Sequence, residues 1–123
     1  MKQEYVSYIR EQLHAVLGID SPSGCTEQVQ EYLCGTLRAM GHEPHRLKKG
    51  GVHVTLGGEG APLTLLSHAD TLGAVVQYIK PNGRLAISNM TLNVFNAEAE
   101  NVRVITRFDG AYEGTLQLCN ASV

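Results

Sequence analysis

Apolar residues recur at helical spacing from the start of the chain, with Tyr5, Tyr8, Ile9, Leu13, Val16 and Leu17 on one side and Lys2, Glu4, Arg10, Glu11 and Gln12 on the rest of the turn. This pattern predicts an amphipathic helix ending near Gly18. Ile19-Asp20-Ser21-Pro22-Ser23-Gly24 then breaks the helix and supplies caps, and a second helix is expected to start between Ser23 and Thr26. Its buried stripe would be Val29, Tyr32, Leu33, Leu37 and Met40, with Gly41 as the left-handed terminator.

From His42 the period changes to two. His42 to Leu47 reads as extended, Lys48-Lys49-Gly50-Gly51 as a turn, and Val52, Val54 and Leu56 alternate with His53 and Thr55, which together predict a hairpin. After the loop Gly57 to Pro62 comes Leu63-Thr64-Leu65-Leu66, a continuous apolar run that predicts a strand buried on both faces. Beyond Gly73 no helical period remains. Ala74 to Ile79 and Leu85 to Ile87 flank the turn Pro81-Asn82-Gly83, while Val102 to Thr106 and Tyr112 to Leu118 flank Asp109-Gly110, so two further hairpins are expected. Ser88 to Asn101 shows no period and is left without an element. The fold class is therefore α/β, two helices and then strands in 1–72, followed by an antiparallel β module in 73–123.

Composition narrows the function classes. A chain of 123 residues with 43% hydrophobic content has enough apolar material for a core and is unlike a disordered segment. A net charge of -2, with only 10 Lys and Arg and no basic cluster, offers no electrostatic footprint for nucleic acid or an anionic membrane. No run of apolar residues is long enough to span a bilayer, and the first residues lack a secretory apolar block, so a cytoplasmic protein is expected. Cys25, Cys34 and Cys119 are widely spaced and contain no C-x-x-C, which argues for reduced thiols and against a thiolate zinc site.

Candidate chemistry lies just past the apolar run, in Ser67-His68-Ala69-Asp70-Thr71-Leu72-Gly73, where open α/β sheets place their sites. In extended chain His68 and Asp70 point to the same side, so an imidazole and a carboxylate could serve one centre. His68 could ligate a metal, with Asp70 orienting its ring or coordinating directly; equally, both could be a hydrogen-bonded structural pair. Spacing alone leaves both readings open. His42, His45 and His53 read as solvated surface and His14 as a boundary residue of the first helix. Ser67 lacks a nucleophile-elbow context, and Gly57-Gly58-Glu59-Gly60 lacks the Lys and helix that phosphate binding requires.

Taken in order, several stretches resemble the cytosolic tetrahedral metallo-aminopeptidases, the glutamyl and deblocking aminopeptidases. The resemblance lies in Ser21-Pro22-Ser23-Gly24, in Gly50-Gly51-Val52, in Leu65 to Gly73 above all, and in Tyr78-Ile79, Asn82-Gly83 and Tyr112 to Leu116. It implies a zinc-peptidase α/β domain interrupted after the His-x-Asp segment by a β-barrel-like dimerisation module. It implies peptide substrates, two zinc or cobalt ions in each complete active site, and a homo-oligomer formed through the β module. It further implies that His68 is a metal ligand and that Asp70 is a catalytic-site carboxylate holding the ligands. The family's bridging Asp, general-base Glu and remaining ligands have no counterpart among these residues, and Gly51, Thr71 and Leu72 depart from the family's usual Asn and acidic-aliphatic pair. The expectation is the amino-terminal portion of a two-metal aminopeptidase, inactive alone. The rival is a non-catalytic assembly module with a remnant His-x-Asp.

Overall fold

The computed structural model describes residues 2–89 and 91–118. By residue contacts the chain divides into two units, Met1–Leu72 and Gly73–Val123.

The first unit opens with α1 (Gln3–Leu17) and α2 (Glu27–Ala39), followed by the short strands β1 (His45–Leu47) and β2 (Gly51–His53). α2 starts at Glu27, one residue past the expected window, with Thr26 as its N-cap residue, and ends where Gly41 adopts φ 86°. There His42 N–H donates to Leu37 O (3.0 Å) and Gly41 N–H to Arg38 O (2.9 Å). This paired closure satisfies two carbonyls at the helix end and requires the left-handed residue that glycine supplies with least strain. Val29 (2% exposed) and Cys34 (0%) form the buried centre of the unit, each from α2. Burying a valine side chain contributes roughly 1.5–3 kcal/mol relative to exposure. Cys34 was not on the predicted stripe, and Met40, which was, is exposed.

α2 also anchors its neighbours through polar contacts. Tyr32 Oη donates to Gln12 Oε1 of α1 at 2.8 Å, and Arg46 of β1 pairs with Glu31. β1 and β2 are antiparallel with His45 opposite His53, so the predicted hairpin is present but three residues long in each strand.

Two expectations about this unit fail. The apolar stripe of α1 exists at the expected positions but is not covered, since no residue of α1 is buried and Leu17 is 72% exposed. Leu63–Leu66 is not a buried strand: no strand is assigned there, and Leu63, Leu65 and Leu66 are 86%, 85% and 92% exposed. A strand exists only through its ladder partners, because its backbone groups have none within the segment. Among the described residues no strand pairs with 63–66; the nearest pairing is a single parallel bridge between Thr71 and Pro22.

The second unit consists of β3 (Ala74–Ile79) with β4 (Leu85–Asn89) and β5 (Asn101–Ile105) with β6 (Ala111–Thr115), each pair antiparallel. The Pro81-Asn82-Gly83 turn closes with Gly83 N–H on Lys80 O (2.9 Å), as its residue types predict. A register shift between Val76 and Tyr78 bulges β3. The stretch without periodicity contains the end of β4, a 3-10 turn at Val94–Asn96 and Ala99 at φ 63°. Among the described residues the strands form three separate two-stranded sheets, so the barrel-like closure expected of this unit is not formed. Closure needs strands to pair around a ring, and two hairpins supply only their own internal ladders. Their apolar faces stay open: Tyr78 is 58% and Ile79 70% exposed, while Ala86 and Ala97 are buried.

Candidate active site

The site is built where the loop after α1 meets the segment after Leu66. Ser21 is fully buried, its Oγ donates to Ala69 O at 2.9 Å, and its own carbonyl accepts Thr71 N–H at 2.9 Å. With the parallel bridge from Pro22 to Thr71, this clamps residues 21–22 alongside 69–71. The loop turns sharply, Cys25 N–H closing on Pro22 O at 2.8 Å, which leaves Ser23 beside Asp70.

Asp70 is held from two sides. Ser23 Oγ donates to Oδ2 at 2.6 Å, and His68 Nδ1 lies 3.1 Å from Oδ1. These contacts, Ser23 first and His68 second, hold the Asp70 carboxyl below its ordinary range, with desolvation opposing them. It is therefore ionised at neutral pH and accepts at both oxygens. The proton in the His68 contact consequently sits on Nδ1. In the neutral imidazole that leaves Nε2 with a free lone pair, on a side chain 85% exposed.

The pair borders an open cavity of about 740 Å³ whose wall is apolar at Leu33 and Leu37 of α2 and Val52 of β2, and polar at Ser23, His68 and Asp70. Thus the two residues singled out in the sequence meet, although the chain carrying them makes no ladder. His68 is the cavity's sole histidine among the described residues. His45 and His53 are exposed and face each other on the hairpin; His14 is exposed and His42 half-buried. Cys25 and Cys34 are free thiols, and Cys119 lies outside the described residues.

The sequence reading missed the work of Ser21 and Ser23. Ser21-Pro22-Ser23-Gly24 is expected only to break α1 and cap the next helix, and its residue types carry no signal of partners 48 and 47 residues away.

A neutral imidazole oriented by a carboxylate is the usual protein ligand of a borderline metal, so His68 fits as one ligand through Nε2. The described residues stop there, because no group of three His, Cys, Asp or Glu among them could hold an ion.

Two helices followed by antiparallel strand pairs, with an oriented imidazole–carboxylate pair after an apolar segment, define a chain of α/β class. The sequence matches the M42 glutamyl aminopeptidase family over residues 50–122, a range that contains both His68 and Asp70. It is also 34% identical over 116 residues to the Bacillus subtilis (strain 168) protein named "Putative aminopeptidase YhfE", covering 92% of this chain and 34% of that protein. The chain belongs to the M42 glutamyl aminopeptidase family. It spans about a third of the length of the curated relative it matches.

Proposed function

We propose that this chain supplies one corner of the active site of a metal-dependent aminopeptidase that hydrolyses N-terminal residues from peptides. The observation that carries the reading is the contact chain Ser23–Asp70–His68, which presents a bare Nε2 on an exposed imidazole, within the segment that matches the peptidase family. His68 is the metal ligand and Asp70 the carboxylate that fixes its ring. A zinc or cobalt pair, when bound, polarises the scissile carbonyl and lowers the pKa of water. What these residues do is narrower: Asp70 holds the Nδ1 proton, His68 offers Nε2, and Leu33, Leu37 and Val52 give the cavity an apolar wall.

The two-metal centre requires further ligands and a base, so the 123-residue chain by itself is expected to release no residue from an aminoacyl anilide. Chelator-sensitive turnover by the purified chain would overturn that statement. Elemental analysis tests the ligand role: bound zinc or cobalt that disappears in His68→Ala supports it, and equal, negligible metal in both removes His68 as a ligand of this chain.

The open faces of β3 and β4 favour a second role for residues 73–123, self-association into a homo-oligomer, because apolar sheet faces as exposed as Tyr78 and Ile79 are seldom left bare. Sedimentation of the chain as a monomer at micromolar concentration would remove this role. A chain that self-associates yet never binds metal would instead be a non-catalytic assembly module.

A further inference from the structure

We propose that Ser23 is a positioning residue: its hydroxyl fixes the Asp70 carboxylate so that Oδ1 faces His68 Nδ1, and thereby sets the ring tautomer that leaves Nε2 bare. The inference deepens the reading above and rests on it for its functional meaning, but its geometry stands apart from any metal.

A carboxylate rotates about its last torsion with little preference, so a single contact to an exposed imidazole does not fix either group. Exposed charge pairs of this kind are weak and mobile. Here each oxygen of Asp70 has its own partner, Oδ2 accepting from Ser23 at 2.6 Å and Oδ1 facing His68 Nδ1 at 3.1 Å. With Oδ2 engaged, Oδ1 is the oxygen left for the ring.

Ser23 can impose this because its own position is determined from inside the fold. Ser21, two residues earlier, is 0% exposed and bonded through both its side chain and its carbonyl to residues 69 and 71. Pro22 between them restricts φ, and the Cys25 to Pro22 turn closes the other side of Ser23. Order therefore passes outward, from a buried serine through a half-buried serine and aspartate to an exposed histidine. A loop serving only to cap α2 would not need this hydroxyl, and Ser23 makes no capping bond to that helix, whose N-cap residue is Thr26.

The test is the tautomer of His68 in the full chain, read from long-range proton–nitrogen correlations of the imidazole at a pH where the ring is neutral. Its signals are assigned among the five histidines by their loss in His68→Ala. The wild-type ring is expected to be mainly Nδ1–H. In Ser23→Ala the Nδ1–H form should fall from majority to minority, as in Asp70→Ala, while backbone amide signals away from residues 21–25 and 68–71 stay in place. Ser23→Thr, which keeps the hydroxyl, should retain the wild-type ring. Should Ser23→Ala unfold, Ser23→Cys keeps the volume with a weak donor and should show the same loss. An unchanged ring in a folded Ser23→Ala or Ser23→Cys, alongside a changed one in Asp70→Ala, overturns the role of Ser23. An unchanged ring in Asp70→Ala overturns the tautomer argument altogether. A tautomer that responds as expected in a chain that never binds zinc or cobalt leaves Ser23 as the positioning residue and refutes the metal-ligand reading instead.

Discussion

Replacing Ser21 with Ala removes one hydroxyl, and the structure lets its effect be worked out. Ser21 is wholly buried and its Oγ donates to Ala69 O at 2.9 Å, whereas its backbone carbonyl keeps the bond from Thr71 N–H whatever the side chain. A neutral intramolecular hydrogen bond contributes about 0.5–1.5 kcal/mol net, and a buried acceptor left unpaired costs about 1–3 kcal/mol. Ala69 is half-buried, so water can reach its carbonyl in part and the upper bound does not apply. The expected loss is about 1–2 kcal/mol of stability in the Met1–Leu72 unit, where each kcal/mol corresponds to a fall in Tm of roughly 4–8 °C for a domain of that size. Urea unfolding followed by the circular dichroism of α1 and α2 measures it, as a lower midpoint with an unchanged slope. A loss under about 0.3 kcal/mol would refute the claim that the 21–22 to 69–71 clamp is held by this side chain, since typical surface substitutions already reach that size.

The Asp70 contacts have a pH dependence with a definite sign. Its folded pKa lies below the ordinary value of 3.8, so its contribution is fully present above that value and is lost as pH falls through the folded one. Asp70→Asn should therefore be less stable than wild type near neutrality, and the difference should vanish in acid; a difference that persists below the folded pKa contradicts the assignment. The exposed run Leu63–Leu66 should bind a hydrophobic dye and promote association. Leu65→Ser with Leu66→Ser should reduce dye binding without altering the helical signal, because both side chains are more than four-fifths exposed. An unchanged dye signal would place the sticky surface elsewhere, with β3 and β4 the next candidates.

What was legible in the sequence was what depends on near neighbours. The α2 boundary at Thr26, the left-handed Gly41 and the turn at Pro81-Asn82-Gly83 each follow from residue types acting within a few positions. The meeting of His68 with Asp70 belongs here too, being a contact across two residues. Burial was less legible. Apolar periodicity states which face a segment must cover but not what covers it, so α1 shows its stripe at the right positions with none of them buried. The role of Ser23 was illegible for the opposite reason: its partner lies 47 residues away, and a serine beside a proline carries no mark of so distant a contact.

Leu63–Leu66 and His68 lie within a few residues of each other, yet the first lacks its expected strand while the second meets Asp70. A strand buried on both faces is secured by neighbours distant in sequence, and among the described residues Leu63–Leu66 has no such ladder. The site after it is secured by a different device, a clamp between residues 21–22 and 69–71 made by the Ser21 side chain and by the parallel bridge to which Thr71 N–H to Ser21 O belongs, with Ser23 added from the same loop. The orientation of the imidazole therefore does not wait on whatever covers the apolar run. Leu65 lines the same cavity as His68 and Asp70, yet the Asp70–His68 contact uses none of the apolar run. On the proposed reading of His68 as a metal ligand, an imidazole preorganised in this way would lose little freedom on engaging an ion.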